Sequence, residues 1–261
     1  MKRIIFLMIC LITLLSSIGF AIIYNPDEQH PYNNNIPFTD LQELVRKKSG
    51  EIQKDKQGND LYTYHRYINE ILKGNSIIVD KAGHKLIEGY QNKNESGKLI
   101  NTYSFKPDDN ITKGEFIKMA ICLANSRTFD YSVYTIPTKY FGTYDGSWAA
   151  PYVVVAEMQD IIDPDKYTRE SLSEPLTRLD VITILSRIQI NMKGIPQFKD
   201  KDVSDFIDVD LLEPEDKGYF IHATKYFLIE DMFNAEDGVR RVNPDKEITR
   251  GEAIRALLRV Y

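Results

Sequence analysis

Three basic side chains hold the same place in a recurring motif, and they are the residues of this chain best placed to do chemistry. Ile111-Thr112-Lys113-Gly114-Glu115-Phe116 recurs as Leu176-Thr177-Arg178-Leu179-Asp180-Val181 and as Ile248-Thr249-Arg250-Gly251-Glu252-Ala253. The threonine and the acid have a local explanation. A Thr followed three residues on by Glu or Asp is a capping box, in which the hydroxyl takes a helix-start amide and the acid reaches back to the amide of the cap. The apolar residue before each Thr can pack on the apolar residue four after it, a hydrophobic staple. Capping does not explain Lys113, Arg178 and Arg250. Each stands at the first helical position, where the helix dipole is positive and a cation costs about 0.3–1 kcal/mol. Two readings are open. In one, the helix-start amides, the dipole and the cation together receive a negatively charged group, with Arg able to grip a carboxylate through two parallel hydrogen bonds. In the other, each cation forms a surface ion pair with Asp108, Asp109, Glu174 or Asp245. Recurrence at one structural position in all three copies favours the anion site, although shared ancestry of the copies weakens the count.

Aromatic residues stand near these cations in the pattern. Trp148 and Tyr219 are expected to open the helix before the second and third motifs, and Tyr62 or Tyr64 the one before the first. A ring face suits the apolar side of a sugar, and equally suits helix packing. Other chemistry is absent from the pattern. His30, His65, His84 and His222 are scattered, and no metalloprotease, nucleophile-elbow or phosphate-loop motif occurs. Asp163-Pro164-Asp165 lacks the glycine and spacing of a calcium loop. No enzyme activity, metal or cofactor is expected.

The elements that must position these residues are helical. After each motif runs an apolar stripe at spacings of three and four: Phe116, Ala120, Leu123 and Ala124; Val181, Ile184, Leu185 and Ile188; Ile254, Leu257, Leu258 and Tyr261. A further stripe precedes each motif: Tyr64, Ile68, Ile71 and Leu72; Trp148, Tyr152, Val155, Ala156 and Ile162; Tyr219, Phe220, Ala223, Tyr226 and Phe227. One helix-loop-helix unit cannot bury its own face, so the expected fold is mainly α, three such repeats in a pseudo-threefold bundle. Lys85–Tyr90 and Leu99–Tyr103, around an Asn- and Gly-containing turn, read as a small β-hairpin inserted in the first repeat. Cys122 lies in an apolar helical stretch and reads as a small buried hydrophobe.

The beginning of the chain is a different kind of segment. Met1-Lys2-Arg3 is basic, Ile4–Ile23 is apolar, and Gly19-Phe20-Ala21 supplies small residues for a peptidase, which together read as a secretory signal. Kept uncleaved, the same run is long enough to anchor in a bilayer. Cys10 sits too early for a lipoprotein anchor. The expected organisation is a signal over 1–21, a linker over 22–37, and repeats over 38–127, 128–193 and 194–261. The 33 basic and 38 acidic residues leave a net charge of -5, and losing the two cations Lys2 and Arg3 makes it -7. That charge argues against nucleic acid and against a polybasic grip on membrane lipids, so membrane contact is expected only if the first segment stays uncleaved.

The motifs resemble the S-layer homology domain, whose signature is an Ile-Thr-Arg-Ala-Glu-like sequence opening a helix. Phe105-Lys106-Pro107-Asp108 before Ile111–Phe116, and Asn243-Pro244-Asp245 before Ile248–Glu252, are close to that pattern. Phe38-Thr39-Asp40 and Phe206-Ile207-Asp208, as well as Phe198-Lys199-Asp200, are similar to the Phe-x-Asp start of the family's repeats. The resemblance implies a secreted protein at the bacterial surface that binds an anionic, pyruvylated cell-wall polysaccharide in grooves between repeats. It implies Lys113, Arg178 and Arg250 as partners of the sugar carboxylate, Trp148 and Tyr219 as the opening aromatics, and Asp40 and Asp208 as the starting acids. The chain departs from the family at three places. Tyr140-Phe141-Gly142 stands where the middle Phe-x-Asp belongs, Asp163-Pro164 stands where glycine follows the first helix, and Lys113 lacks the planar fork of arginine. Some grooves are therefore expected to be weak. The last motif helix runs to Tyr261, so no catalytic cargo domain is expected. The alternative is a structural tether between membrane and wall, or a module recruiting a surface protein through the hairpin.

Overall fold

The computed structural model describes residues 36–54, 56, 58, 60–80, 83–125, 143, 144, 146–200, 202–226 and 238–261. The expected signal Ile4–Ile23, nearly all of the 22–37 linker, Phe227 and Tyr140-Phe141-Gly142 lie outside the described residues. The described chain forms two compact units, residues 36–72 with 88–106 and residues 73–87 with 107–261.

The first unit is largely β. Strand β1, Gln42–Leu44, pairs antiparallel with β2, Tyr62–Tyr64. Val45 N donates to Leu61 O at 2.9 Å and Gln53 N to Val45 O at 2.8 Å, extending the ribbon beyond the named strands. The chain reverses at Gly50 and Gly58, whose φ of 87° and 88° a side chain would strain. Helix α1, Ile68–Ser76, carries the chain into the second unit. Strand β3, Tyr90–Lys93, pairs antiparallel with β4, Leu99–Ser104, around a turn in which Asn94 Oδ1 accepts from Lys98 N at 2.9 Å. The hairpin expected from sequence thus starts at Tyr90, and Lys85 instead bridges to Ile78 in the second unit.

Among its described residues the second unit holds five more α-helices: α2 (Lys113–Ala124), α3 (Ala150–Met158), α4 (Arg178–Arg187), α5 (Pro214–Lys225) and α6 (Arg250–Arg259), with α4 running on into a π-turn over Ile188–Met192. The three motif helices α2, α4 and α6 each carry both hydrogen bonds of the capping box. Most of their stripes are core: Phe116, Ala120, Val181, Ile184, Leu185, Ile188, Ile254 and Leu257 are all fully buried, whereas Tyr261, expected to close the third stripe, lies past the end of α6 and is 43% exposed. Helix α3 is apolar apart from Glu157, and its run from Tyr152 to Ala156 is buried. Among the described residues no helix is long and apolar enough to cross a membrane.

The expectation of a mainly α, three-repeat pseudo-threefold bundle is corrected here. Among the described residues the chain has six α-helices and two small antiparallel sheets, a mixed and only partly helical fold. Tyr64 ends a strand rather than opening a helix, and α1 begins four residues later. The physical reason lies in Tyr62-Thr63-Tyr64, an aromatic and β-branched run that suits a pleated surface and pairs with β1. Tyr219 likewise does not open its helix. Pro214 does so, its fixed φ suiting the first helical position, which leaves Tyr219 mid-helix.

Candidate ligand-binding site

The three motif starts meet at one place in the second unit. Leu176 N donates to Ile111 O at 2.8 Å, Ile248 N to Leu176 O at 2.9 Å, and Ile111 N to Ile248 O at 3.1 Å, closing a ring of backbone hydrogen bonds. Ile111, Leu176 and Ile248 are buried beneath it. The first amide of each helix is also engaged. Lys113 N donates to Glu174 O at 3.0 Å, Arg178 N to Lys246 O at 2.8 Å and Arg250 N to Asp109 O at 2.9 Å. Leu179 N donates to Pro244 O at 3.0 Å and Gly251 N to Pro107 O at 2.8 Å. The helix-start amides on which an anion was expected to rest are therefore satisfied by carbonyls of neighbouring copies. A helix end needs such partners, and protein supplies them here.

The three cations follow the same circuit, each reaching to the next copy. Lys113 Nζ lies 2.8 Å from Glu174 Oε2, with the Lys side chain 15% exposed and the Glu 59%. Arg250 Nη1 lies 2.9 Å from Oε1 of Glu115, the capping acid of the first motif, and both side chains are mostly covered. Arg178 is 2% exposed and donates from Nη1 to Val242 O at 2.7 Å. Burial lowers the Arg178 pKa, while the nearby charges of Glu252 and Asp208 oppose that shift. The cations are tolerated at the positive end of a dipole because partners come from a different copy of the motif.

The two Phe-x-Asp acids form matching clamps, one in each unit. Asp40 accepts from Phe105 N at 2.8 Å and Lys106 N at 2.6 Å. Asp208 accepts from Val242 N at 2.6 Å and Asn243 N at 2.8 Å. Lys106 and Asn243, each just before a proline, have φ of 59° and 45°. A left-handed residue ahead of proline is unfavourable, and two charge-assisted hydrogen bonds hold it. Phe206, rather than Phe198, makes the matching backbone bridge, with Ile207 N donating to Arg240 O at 3.1 Å as Thr39 N does to Tyr103 O at 2.8 Å.

The two aromatics differ. Trp148 is 59% exposed, and the next residue, Ala149, packs where a Cβ on Gly114 would lie 3.2 Å away, beside Lys113. Tyr219 is half-buried. Its hydroxyl donates to Glu215 Oε1 at 3.2 Å and accepts from Arg187 Nε at 3.1 Å, with the Arg187 guanidinium 5.2 Å over its ring. Arg187 in turn lines an open hollow with Ile161, Ile162, Lys166, Tyr167 and Thr183. On its wall Tyr167 donates to Asp180 at 2.8 Å, and burial followed by the Asp180 charge pushes the phenol pKa well up, so it stays a donor. The structure thus gathers Lys113, Arg178 and Arg250 around one ring, with Asp208 close to Arg178, and carries Tyr219 to Arg187. Arg187 had no signal in the motif; its place four residues after Thr183 on one face of α4 was its only trace. Burial pushes the Cys122 thiol up to about 12, which suits an inert core residue. Among the described residues no group of three or more His, Cys, Asp or Glu could hold a metal ion.

A comparison with curated proteins finds no match. A comparison with protein families finds one, the S-layer homology domain, over residues 82–117, a segment that takes in the β3–β4 hairpin and the first motif and points to cell-wall polysaccharide binding at the bacterial surface by a non-catalytic module.

Proposed function

We propose that this chain is a non-covalent anchor to a pyruvylated secondary cell-wall polysaccharide, secreted to the bacterial surface and acting as a binding module without catalysis. The observation that carries the reading is the S-layer homology match over 82–117. The second and third motifs share the capping box and first-position cation of the first, which supports counting all three as repeats of this type, over 38–127, 128–193 and 194–261. Of the seven expected site residues, Trp148 and Lys113 are proposed as direct ligand contacts, since an exposed indole and a cation in a solvent-facing ion pair can exchange partners. Tyr219 acts through Arg187 at the hollow beside α4. Arg178, Arg250 and Asp208 act by holding the loops that frame the binding surface, as their internal partners favour, and Asp40 holds the turn at Phe105 and Lys106 within the first unit. The test is a sedimentation assay of the full chain with purified walls. Polymer-bearing walls should retain the protein, and walls stripped of the polymer or depyruvylated should release it. Equal retention on stripped walls would refute the reading.

A further inference from the structure

The first unit carries a concentration of positive charge that the motif ring does not use, and we infer that its β1–β2 ribbon is a docking surface for a water-soluble, linear phosphodiester polymer. Residues 46–56 hold five of the 33 basic residues and two of the 38 acidic ones, which leaves this stretch at +3 in a chain of net charge -5. The charge is built on a short internal repeat. Val45-Arg46-Lys47-Lys48-Ser49-Gly50-Glu51-Ile52 is followed directly by Gln53-Lys54-Asp55-Lys56-Gln57-Gly58-Asn59-Asp60. Both copies have a basic residue second, a lysine fourth and a glycine sixth. The glycine answers to the turn, with φ of 87° and 88° in the two copies. The second-position cation clasps that turn: Arg46 Nη1 donates to Gly50 O at 3.0 Å, and Lys54 Nζ donates to Gly58 O at 3.3 Å.

The two turns spring from one ring of backbone hydrogen bonds. Gln53 N donates to Val45 O at 2.8 Å, Leu61 N to Gln53 O at 2.9 Å and Val45 N to Leu61 O at 2.9 Å. Arg46 and Lys54 follow directly on two bonded members of this ring, so their Cα atoms lie within about 13 Å of each other. That is close to the roughly 10 Å over which charges act on one another in 0.1 M salt. Arg46, Lys47, Lys48, Lys54 and Lys56 are all exposed. Lys47 pairs with Glu51 at 3.3 Å and Lys54 with Asp60 at 3.4 Å, but every side chain in these pairs is at least 41% exposed. Pairs so open to water yield to a multivalent anion. Four of the five cations are lysines, point charges that suit phosphate, whereas the planar fork of arginine suits a carboxylate. Among the described residues no large apolar side chain between Gln42 and Arg66 is exposed, so the ribbon has nothing to bury in a bilayer. The same lack removes the aromatic platform on which bases of single-stranded nucleic acid stack. The partner that fits is a chain of phosphodiesters without bases or acyl tails.

The full chain is titrated with linear poly(glycerol phosphate) at a series of salt concentrations. Affinity should fall with salt, with a log–log slope of about -2 to -3.5, as three to five cations displace counterions from a single-stranded polyanion. Lys48→Gln combined with Lys56→Gln should weaken binding about tenfold and make the slope shallower by about 1.4, at an unchanged unfolding midpoint. Lys93→Gln combined with Lys98→Gln makes the same charge change on the exposed β3–β4 hairpin and should leave binding nearly unchanged. An affinity indifferent to salt, or equal loss in the two double variants, overturns the docking surface. Binding to vesicles of anionic phospholipid that the Lys48 and Lys56 variant loses overturns the choice of a soluble polymer. The titration contains no pyruvylated sugar, so its failure leaves the wall-sedimentation result standing, and the reverse also holds.

Discussion

Replacing Arg250 by Met should destabilise the protein by about 2–3 kcal/mol, whereas the same replacement at Lys113 should cost about 0–1 kcal/mol, although both residues hold the same motif position. The difference follows from their partners. Arg250 Nη1 and Glu115 Oε1 are 2.9 Å apart, with side chains 7% and 24% exposed. Two charges about 4 Å apart at an effective dielectric near 20 attract by roughly 4 kcal/mol, and desolvation of both offsets part of that. Removing the arginine does not strand Glu115, because Oε2 still accepts from Thr112 N at 3.0 Å and from its hydroxyl at 3.2 Å at a helix start. The cost should therefore fall below the 3–5 kcal/mol typical of breaking a fully buried pair. Lys113 faces Glu174, which is 59% exposed, so water and salt replace that pair at little cost. Urea unfolding followed by far-ultraviolet circular dichroism measures both variants. A cycle with Glu115→Gln isolates the pair: in the Arg250→Met background, Glu115→Gln should cost clearly less than in the parent. The reasoning fails if Arg250→Met costs no more than Lys113→Met, or if the two changes at 250 and 115 simply add.

Asp208→Asn should cost about 2–3 kcal/mol, because one carboxylate accepts from two successive amides at 2.6 and 2.8 Å and an amide side chain can serve only one; thermal unfolding should show the loss, and an unchanged midpoint would contradict the clamp. Gly114→Ala should be destabilising by about 1–2 kcal/mol despite the better helix propensity of Ala, since the new Cβ would meet Leu172 O at 3.1 Å and Ala149 Cβ at 3.2 Å, neither of which can swing away; a stabilised variant in urea would refute this. His222 sets a pH dependence. It is fully buried, Nδ1 accepts from Phe198 N at 3.1 Å, Nε2 lies 3.0 Å from Gln189 Oε1, and burial lowers its pKa. A lowered folded pKa on a base means that the unfolded chain takes up the proton first. The contribution of His222 is thus intact above about pH 6.5 and declines as pH falls below it, by up to about 1.4 kcal/mol per unit. His222→Gln should narrow the stability difference between pH 7.5 and 5.5, and an equal loss in both proteins would refute the assignment.

The capping boxes, the three helix starts and the apolar stripes behind them were legible in the sequence, because each depends on residues three or four apart and needs no knowledge of the rest of the chain. The β3–β4 hairpin was legible for the same reason, up to its starting residue. The β1–β2 ribbon was not, since Tyr64 also fitted a helical stripe and only its pairing with Gln42 decides between the two. Tertiary structure alone decided what the motif cations do. Glu115 was visible as a cap and Arg250 as an unexplained charge, but nothing local says that one is the partner of the other across 135 positions. The same holds for Asp40 and Asp208, since nothing local says which amides, more than thirty residues away, their carboxylates accept from. The sequence by itself determined where helices begin and which face they bury, through short-range capping and periodicity. Which charges remain available to a ligand was set by the closing of the ring through Ile111, Leu176 and Ile248, because long-range hydrogen bonds and burial, and not residue type, decide whether a cation is engaged inside the protein or open to solvent.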